Sequence, residues 1–324
     1  MSLSKEDKIF ITGHKGMVGS SIYRLLKKKG FKNLIVKTRD ELDLTNQKTV
    51  ENFFKTNDVD KLIIAAAKVG GIGANSSYPV EFLLENLQIQ NNLLYSSYKN
   101  KLDQVIFLGS SCIYPKFSKS PITEDQLLSG KLEDTNQWYA IAKIAGIKLA
   151  EALNLQYQLD CRSLMPTNLY GPEDNFNLEK GHVIPALINK FHNAISNNLE
   201  TIEIWGSGNP LREFMHVDDL ALACYFVMNL KSEVYHSSLD DSVSHLNVGT
   251  GEDIRIKDLV NSLVKVTGFE GQIIYDKDKP DGTPRKLLDV SRMKSLGWEY
   301  SIPLDEGLKS TYGWYKKNFP SVRS

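Results

Sequence analysis

The feature that most constrains this chain is the regular alternation of short apolar runs with longer amphipathic stretches over its first half. The apolar runs are "KIFITG", "NLIVKT", "KLIIAAA" and "QVIFLGSS", and they lack the polar alternation of strands with one exposed face. The stretches between them, "MVGSSIYRLLKKKG", "NQKTVENFFKTN" and "VEFLLENLQIQNNLLYSSYK", have the length and spacing of helices. Because crossovers between parallel strands are right-handed, the pattern predicts an α/β fold with a doubly wound parallel sheet of the Rossmann type.

The second half of the chain is less regular. After Leu164, "MPTNLYGPEDN" is rich in Pro, Gly and Asn and is predicted to be a loop. The strand candidates "TIEIW", "HLNVG" and "QIIYD" then mix with helical stretches such as "VDDLALACYFVMNL" and "IKDLVNSLVKVTG". We therefore expect a sheet domain over residues 1–165 and a smaller C-terminal α/β lobe over residues 166–324, with some later segments joining the sheet.

The composition argues against several classes of partner. The chain has 39 Lys+Arg and 39 Asp+Glu, so its charge gives no reason to expect nucleic acid or an acidic membrane as a partner. The three cysteines, Cys112, Cys161 and Cys224, form no close pair, which argues against a disulfide scaffold or a zinc site and suits a reducing compartment. No apolar run has the length of a membrane span, so we expect a cytoplasmic protein without a metal centre.

The turn after the first predicted strand carries three glycines, Gly13, Gly16 and Gly19, in "TGHKGMVG". Glycines at this place tighten the turn, let the backbone approach a pyrophosphate, and let the helix pack against the strand. The N-terminus of the following helix offers unpaired N–H groups and a positive dipole end to the phosphates. At the first β–α turn of an alternating chain, this arrangement predicts a dinucleotide-binding site.

The end of the second strand distinguishes NAD from NADP. NAD sites carry a carboxylate there for the ribose 2′-hydroxyl, whereas an arginine accommodates the 2′-phosphate of NADP. Here "VKTRDELDL" places Arg39 at the strand end, and Lys15 lies in the glycine turn, so two cations would face the ribose. We therefore expect NADP(H), with NAD as the alternative if Asp40 takes the ribose contact.

The segment "WYAIAK" places Tyr139 and Lys143 one helical turn apart, on one face of a helix. The same spacing recurs at Tyr23/Lys27, Tyr95/Lys99, Tyr275/Lys279 and Tyr312/Lys316. Only the pair in "WYAIAK" follows a strand that ends in serines, beginning with Ser110, and ligands of an open parallel sheet bind beyond the carboxyl ends of its strands. We expect the lysine cation to stabilise the phenolate and to lower the pKa of Tyr139 toward the range of a general acid–base catalyst.

Together these residues resemble a known family. The glycine turn, the strand-end Ser110 and the Tyr-x-x-x-Lys helix are similar to those of the extended short-chain dehydrogenase/reductases. Within that family the chain resembles the GDP-L-fucose synthase branch, through "RDELDL", "AAAKVGGI", "LGSSCIYPK", "TNQWYAIAKIAGIKL", "MPTNLYGPEDNF", "HVIPALI" and "KPDGTPRKLLDVSR". The resemblance extends from Ile9 to the C-terminal helix.

The resemblance implies an enzyme that epimerises GDP-4-keto-6-deoxy-D-mannose at C3 and C5 and reduces it at C4 with NADPH, giving GDP-L-fucose. It implies a reductive set of Ser110, Tyr139 and Lys143, with Cys112 as the epimerisation base and His182 as the acid. The implied cofactor contacts are Gly13, Lys15, Gly16, Met17, Val18, Gly19, Arg39, Leu108, Ser110, Lys143, Pro166, Asn168, Leu169 and His182. The implied contacts to the GDP portion are Lys190, Trp205, Arg212 and Arg285.

The resemblance also implies a homodimer that pairs through the two long helices "VEFLLENLQIQNNLLYSSYK" and "YAIAKIAGIKLAEALNLQYQ". Trp138, where relatives commonly carry a smaller residue, keeps open a C4-reductase of a GDP-4-keto heptose or 3,6-dideoxy sugar with partial or no epimerisation. A nucleotide-sugar epimerase that retains NAD and a non-catalytic NADP-binding protein are further alternatives. The two cations at the ribose argue against the first of these, and the intact reductive set argues against the second.

Overall fold

The computed structural model describes residues 3–179, 181–240, 243–279, 281 and 283–322 of the 324-residue chain. Two residues of the motif "KPDGTPRKLLDVSR", Pro280 and Gly282, lie outside the described residues. The described strands are β1 (Ile9–Thr12), β2 (Leu34–Ile35), β3 (Lys61–Ile64), β4 (Gln104–Leu108), β5 (Cys161–Pro166), β6 (Asn168–Tyr170), β7 (Thr201–Trp205), β8 (Leu211–Arg212), β9 (Phe214–His216), β10 (His245–Val248), β11 (Ile254–Arg255), β12 (Gln272–Asp276) and β13 (Arg285–Lys286). The described α-helices are α1 (Met17–Lys28), α2 (Gln47–Thr56), α3 (Ile72–Ser77), α4 (Pro79–Lys99), α5 (Gln137–Tyr157), α6 (Val183–Ser196), α7 (Val217–Asn229), α8 (Ser232–Ser237), α9 (Ile256–Thr267), α10 (Ser291–Ser295) and α11 (Leu304–Asn318).

The central sheet confirms the predicted doubly wound parallel fold. Over the described residues its strand order is β2-β1-β3-β4-β5-β10, and every neighbouring pair is parallel. The chain runs from β1 to β2 on one side and then crosses to β3 on the other side of β1. This reversal opens a crevice beyond the carboxyl ends of β1 and β3, which is where such sheets bind ligands.

Each central strand is apolar because both faces of the sheet are covered. In β1, Phe10 packs into one core cluster with α2, α4 and α5, whereas Ile9 and Ile11 pack into a second cluster with α1 and α7. Successive side chains of a strand point to opposite faces, so a strand buried on both faces shows no polar alternation. The observed burial therefore accounts for the apolar runs in the sequence.

The C-terminal part of the chain divides between the central sheet and a smaller lobe. β10 pairs with β5 at the sheet edge, and α7 packs on the sheet through its buried face. The other late segments form short sheets, β7 with β12, β8 with β11 and β13, and β6 with β9, around a third core cluster that includes α6, α9 and α11. The prediction of a loop for "MPTNLYGPEDN" is partly wrong, because β5 continues to Pro166 and β6 pairs with β9. Such short strands form through pairing with distant segments, which leaves little local signal.

Cys161 in β5 and Cys224 in α7 are buried in the core, as expected of small apolar fillers. All three cysteines are free thiols. In the described part of the chain, no group of His, Cys, Asp and Glu side chains could hold a metal ion. None of the described helices combines the length and apolar character needed to cross a bilayer.

Candidate active site

The glycine turn is held tightly between β1 and α1. Gly13 adopts a left-handed conformation with φ +70°, and its carbonyl oxygen accepts a hydrogen bond from the Gly16 N–H at 2.9 Å. A Cβ on Gly19 would lie 2.3 Å from that same oxygen, so a larger residue would push the helix off the turn. Gly16 caps α1, whose first turn carries no acidic residue. The turn therefore presents a helix N-terminus suited to a diphosphate.

A cavity of about 840 Å³ opens beyond the carboxyl ends of β1, β3, β4 and β5. Its volume is in the range of pockets that bind small molecules and cofactors. The structure places all the expected cofactor residues on its wall: Gly13, Lys15, Gly16, Met17, Val18, Gly19, Arg39, Leu108, Ser110, Lys143, Pro166, Asn168, Leu169 and His182. Tyr139 also lines the cavity, so the expected cofactor and reductive residues share one cleft.

One end of the cavity is rich in cations. Arg39 and Lys15 both line it, whereas Asp40 is exposed and is not part of the wall. The Arg39 guanidinium lies 3.6 Å from the Glu85 carboxylate, which also accepts a hydrogen bond from Lys68 at 2.8 Å. A mostly exposed guanidinium in so long an ion pair is free to reorient toward a phosphate. This end of the cleft suits the 2′-phosphate of NADP better than a bare ribose.

Tyr139 lies in the first turn of α5, with the buried Lys143 one turn further along. The lysine Nζ donates to the Leu108 carbonyl oxygen at 2.8 Å and lies 5.8 Å from the centre of the Tyr139 ring. Burial lowers the pKa of Lys143 to about 8. Burial raises the pKa of Tyr139, with nearby Cys112 as a second cause. The expectation that Lys143 lowers the tyrosine pKa is therefore wrong for this arrangement, because the ammonium is held at β4 and the phenol is desolvated.

Cys112 lies in a 3-10 turn, Ser111–Ile113, directly after β4. Its N–H donates to the Ser110 hydroxyl at 3.5 Å, which fixes the turn to the strand end. Burial raises the pKa of the Cys112 thiol, while Lys286, the Ser110 hydroxyl and Lys143 act in the opposite direction. Cys112 is half-buried and is not part of the wall of the large cavity, although the two serines before it, Ser110 and Ser111, line that wall.

His182 caps the start of α6 and lines the same cavity. Its side chain is exposed to the cleft, yet desolvation by the surrounding protein lowers its pKa, which favours the neutral imidazole at neutral pH. Asn168, which lines the same cavity, donates from its amide to the Glu213 carbonyl oxygen at 2.8 Å. The cavity that holds the reductive set is thus also lined by the His182 imidazole and a fixed Asn168 amide.

The expected contacts to the GDP portion do not line the large cavity but lie on the C-terminal lobe. Lys190 donates to the Glu203 carbonyl oxygen at 2.7 Å, and the 65% exposed ring of Trp205 lies at the end of the same strand, β7. Arg212 is in β8, where burial lowers its pKa. Arg285 is instead held by the Asp253 carboxylate at 2.5 Å, and that ion pair raises its pKa. The structure brings these residues to one lobe, where Arg212 and Arg285 belong to the paired strands β8 and β13.

A sequence profile described as the NAD dependent epimerase/dehydratase family matches residues 9–249 of the chain. The chain belongs to this epimerase/dehydratase family. The GDP-L-fucose synthase of Escherichia coli (strain K12) is 51% identical to it over 316 residues, covering 98% of each protein. A crystal structure of a GDP-6-OMe-4-keto-L-xylo-heptose reductase from C. jejuni matches with a TM-score of 0.91 at 35% identity, covering 98% of this chain and 100% of that one. A GDP-mannoheptose C4 reductase from Campylobacter jejuni with NADP bound matches with a TM-score of 0.87 at 35% identity, covering 97% and 99%.

This member of the epimerase/dehydratase family carries a site residue that its sequence pattern did not reveal, Lys286. In the parallel pair β8–β13, Lys286 stands opposite Arg212, so their side chains share one face, while Arg285 points to the other. Burial raises the pKa of the Cys112 thiol, and the Lys286 cation is the largest of the influences that lower it. Burial also lowers the pKa of Lys286 itself. No local signal marked Lys286, because β13 has only two residues and its partner β8 is distant in the sequence.

Trp138 does not line the large cavity of this family member. Its side chain is 38% exposed near the start of α5, beside the equally exposed Ile141. The indole therefore faces outward from α5, while the next residue, Tyr139, faces the cleft. This position gives no support to a C4-reductase of another GDP-4-keto sugar, the alternative that Trp138 kept open.

Proposed function

We propose that this chain is a GDP-L-fucose synthase, which epimerises GDP-4-keto-6-deoxy-D-mannose at C3 and C5 and reduces it at C4 with NADPH. One observation carries the proposal: Ser110, Tyr139 and Lys143 line the same cavity as the glycine turn, so a hydride donor and a ketone can meet there. The 51% identity to the Escherichia coli GDP-L-fucose synthase, over 98% of both proteins, supports the choice of sugar.

The reductive step uses three side chains of this cleft. NADPH would supply the hydride when it is bound in this cleft, with its diphosphate at the glycine turn. The Tyr139 phenol donates its proton to the C4 oxygen, and the Ser110 hydroxyl donates a hydrogen bond to the same oxygen. Lys143 lies one turn from the tyrosine, where its cation stabilises the phenolate that remains after the proton has moved.

The epimerisation uses the acidity of protons next to a ketone. A Cys112 thiolate removes the proton at C3 or C5, and the electron pair of the broken C–H bond moves into an enolate whose oxygen is held by Ser110 and Tyr139. The imidazolium form of His182, a minor form at neutral pH because desolvation lowers its pKa, then delivers a proton to the opposite face of the carbon, which inverts the centre. One proton has passed from the imidazole to the thiol, and exchange with solvent restores both groups.

The test is NMR of the product that the enzyme makes from GDP-4-keto-6-deoxy-D-mannose and NADPH in heavy water. The expected product is GDP-L-fucose with deuterium at C3 and C5. A C4-reduced sugar without deuterium at those carbons would identify a reductase that does not epimerise. No NADPH oxidation with this substrate would remove the proposed activity.

We further propose that Arg39 selects NADP over NAD. Arg39→Ala should weaken NADPH binding about tenfold, since charge-assisted hydrogen bonds to a phosphate are lost, and should change NADH binding little. Fluorescence titration with both nucleotides measures this. Asp40→Ala is the matched control, and we expect it to leave both affinities unchanged. Loss of NADH affinity in that control, with NADPH binding intact in Arg39→Ala, would assign the ribose contact to Asp40.

We infer that residues 1–165 mainly bind NADPH and that residues 166–324 mainly bind the GDP-sugar. The late residues Pro166, Asn168 and His182 on the cavity wall support a site shared by the two parts. A shared site explains how a sugar held on the C-terminal lobe can reach a hydride donor held on the sheet. Truncation after residue 165 should therefore abolish reduction, and a truncated chain that still reduces the sugar would contradict the division.

We also infer that two copies pair through α4 and α5. These helices pack side by side, with Tyr98 and Tyr157 stacked at 3.9 Å between ring centres. Their outer surface carries the exposed apolar residues Val80, Leu84, Tyr95, Trp138, Ile141 and Tyr157. An exposed apolar patch of this kind suits a protein interface. Sedimentation velocity should give the mass of two chains, and a single-chain species at micromolar concentration would contradict the pairing.

A further inference from the structure

A buried hydrogen-bond network connects the turn that carries Cys112 to the edge strand β10. Tyr114 follows that turn and is 2% exposed. Its hydroxyl donates to the Asn247 Oδ1 at 2.6 Å and lies 2.8 Å from the His245 Nε2. Both partners are buried residues of β10, so the segment after Cys112 is fastened to the central sheet through one phenolic oxygen.

The proton positions in this network are fixed by its donors and acceptors. The Asn247 Nδ2 donates to the Ile122 carbonyl at 2.9 Å and to the Asp289 carbonyl at 3.1 Å, so Oδ1 must face Tyr114. The single phenolic hydrogen is used toward Asn247, and the His245 Nε2–H therefore donates to the phenolic oxygen. Burial keeps His245 neutral by lowering its pKa to about 3, in agreement with this assignment.

Asn247 also forms hydrogen bonds with two other segments of the chain. Ile122 belongs to the chain that follows Cys112, and Asp289 belongs to the chain that follows Lys286. These two segments also pair by main chain, with the Ile122 N–H donating to Leu287 at 2.8 Å and the Asp289 N–H donating to Ile122 at 2.9 Å. The network thus ties the chain that follows Cys112 and the chain that follows Lys286 to one strand.

The reductive residues are held by other contacts. Ser110 follows Gly109, whose N–H donates to the Leu164 carbonyl at 2.9 Å within the central sheet. Tyr139 and Lys143 belong to α5, and Lys143 is fixed to the Leu108 carbonyl. Neither of these two hydrogen bonds uses Tyr114, Asn247 or His245. Ser110 shares one hydrogen bond with the turn, from the Cys112 N–H, so a change in the network acts first on Cys112 while β4 and α5 keep their own contacts.

We propose that Tyr114, with Asn247 and His245, is a positioning device that holds the turn carrying Cys112 in the place from which its thiol serves the carbon atoms that are epimerised. This proposal rests on the proposed function, because it assigns the device to the epimerisation half of that reaction. Tyr114 does not touch the substrate; it acts through the turn it anchors. Loss of the Tyr114 hydroxyl should therefore slow epimerisation more than C4 reduction. A merely structural role would slow both reactions together.

The test is Tyr114→Phe, compared with Tyr235→Phe. Tyr235 is a matched control, because it is also a fully buried tyrosine whose hydroxyl bonds to the sheet, at Ser163 of β5, but it lies away from the cleft. Deuterium entry at C3 and C5, NADPH oxidation and thermal unfolding are measured for both variants. We expect deuterium entry to fall about tenfold in Tyr114→Phe relative to the control, because small misplacements of a catalytic group have effects of at least this size. NADPH affinity should stay within twofold of the unsubstituted protein in both variants.

A second readout follows the thiol directly. Alkylation of Cys112 by iodoacetamide, read by mass spectrometry across a pH series, should have its midpoint at higher pH in Tyr114→Phe, because the thiol is no longer held beside Lys286. If Tyr114→Phe does not fold, His245→Leu removes one of the two hydroxyl contacts and should lower deuterium entry about threefold, again with NADPH affinity retained.

The outcomes distinguish this proposal from the proposed function. Unsubstituted protein that takes up no deuterium and forms no GDP-L-fucose would overturn the function and the positioning role together. Normal activity of the unsubstituted protein, with equal deuterium entry in Tyr114→Phe and Tyr235→Phe, would overturn the positioning role alone. A parallel fall of deuterium entry and C4 reduction in a single-turnover experiment would also overturn it, since the network would then support the whole cleft.

Discussion

Phenylalanine in place of Tyr139 is expected to slow C4 reduction about 1,000-fold, whereas NADPH still binds. The substitution removes one hydroxyl and keeps the ring, whose edge contact with Phe82 at 6.4 Å between centroids needs no oxygen. Without the phenol, hydride addition leaves negative charge on the C4 oxygen and no side chain to protonate it. NADPH oxidation in the presence of the keto-sugar measures the rate, and fluorescence titration measures cofactor binding.

The raised pKa of Tyr139 gives the physical reason for this large effect. Burial keeps the phenol protonated at neutral pH, which is the form that gives a proton to the reduced sugar. The alkoxide produced by hydride addition is a much stronger base than a phenolate, so the proton moves to it. The phenolate that remains is buried beside Lys143, with Nζ 5.8 Å from the ring centre. The lysine therefore stabilises the product of proton transfer rather than the resting state.

Tyr23→Phe is a matched control, since Tyr23 and Lys27 have the same spacing on α1. We expect it to keep the full rate of reduction. Thermal unfolding of both variants should show that neither loses the fold. If Tyr139→Phe reduces the sugar at an undiminished rate, the phenol is not the proton donor and the assignment of the cleft to reduction fails.

The central sheet could be predicted because its sequence signal is local. All four residues of Ile9–Thr12 are buried, and the helices between strands are long enough to show their period. The small sheets of the C-terminal lobe could not be predicted in this way. β8 and β13 have two residues each, which is too short for any periodicity, and they exist because the chain brings Leu211 opposite Arg285. Pairing between distant segments leaves no mark within either segment.

The same distinction applies to the site. The glycine turn and the Tyr-x-x-x-Lys spacing are contained in short stretches, so these parts of the cleft could be named from the sequence. Lys286 could not, because it reaches Cys112 only through the pairing of β13 with β8. The direction of the Tyr139 pKa shift was also inaccessible. Helical spacing shows that Lys143 is near, but not that its ammonium is held by the Leu108 carbonyl or that the phenol is desolvated.

Serine in place of Cys112 is expected to slow deuterium entry at C3 and C5 about 100-fold, with C4 reduction still measurable. A serine hydroxyl has nearly the same shape and keeps the backbone contact to Ser110, but it is far less acidic than a thiol. The base that removes the proton is then almost absent at neutral pH. NMR of the sugar in heavy water measures exchange, and NADPH oxidation measures reduction in the same sample.

The pH dependence of this exchange gives a sharper test than its rate at one pH. Burial raises the pKa of the Cys112 thiol, so the thiolate is the minor form at neutral pH and its population grows as the pH rises. The imidazolium form of His182 becomes rarer as the thiolate becomes more common, so exchange in the unsubstituted protein should be level between the two pKa values and fall on either side of them. This profile should be lost in Cys112→Ser. Cys224→Ser places the same atom change in the core and should cost stability without altering the profile. If a pH-dependent exchange survives in Cys112→Ser, another group of the cleft is the base that removes the proton.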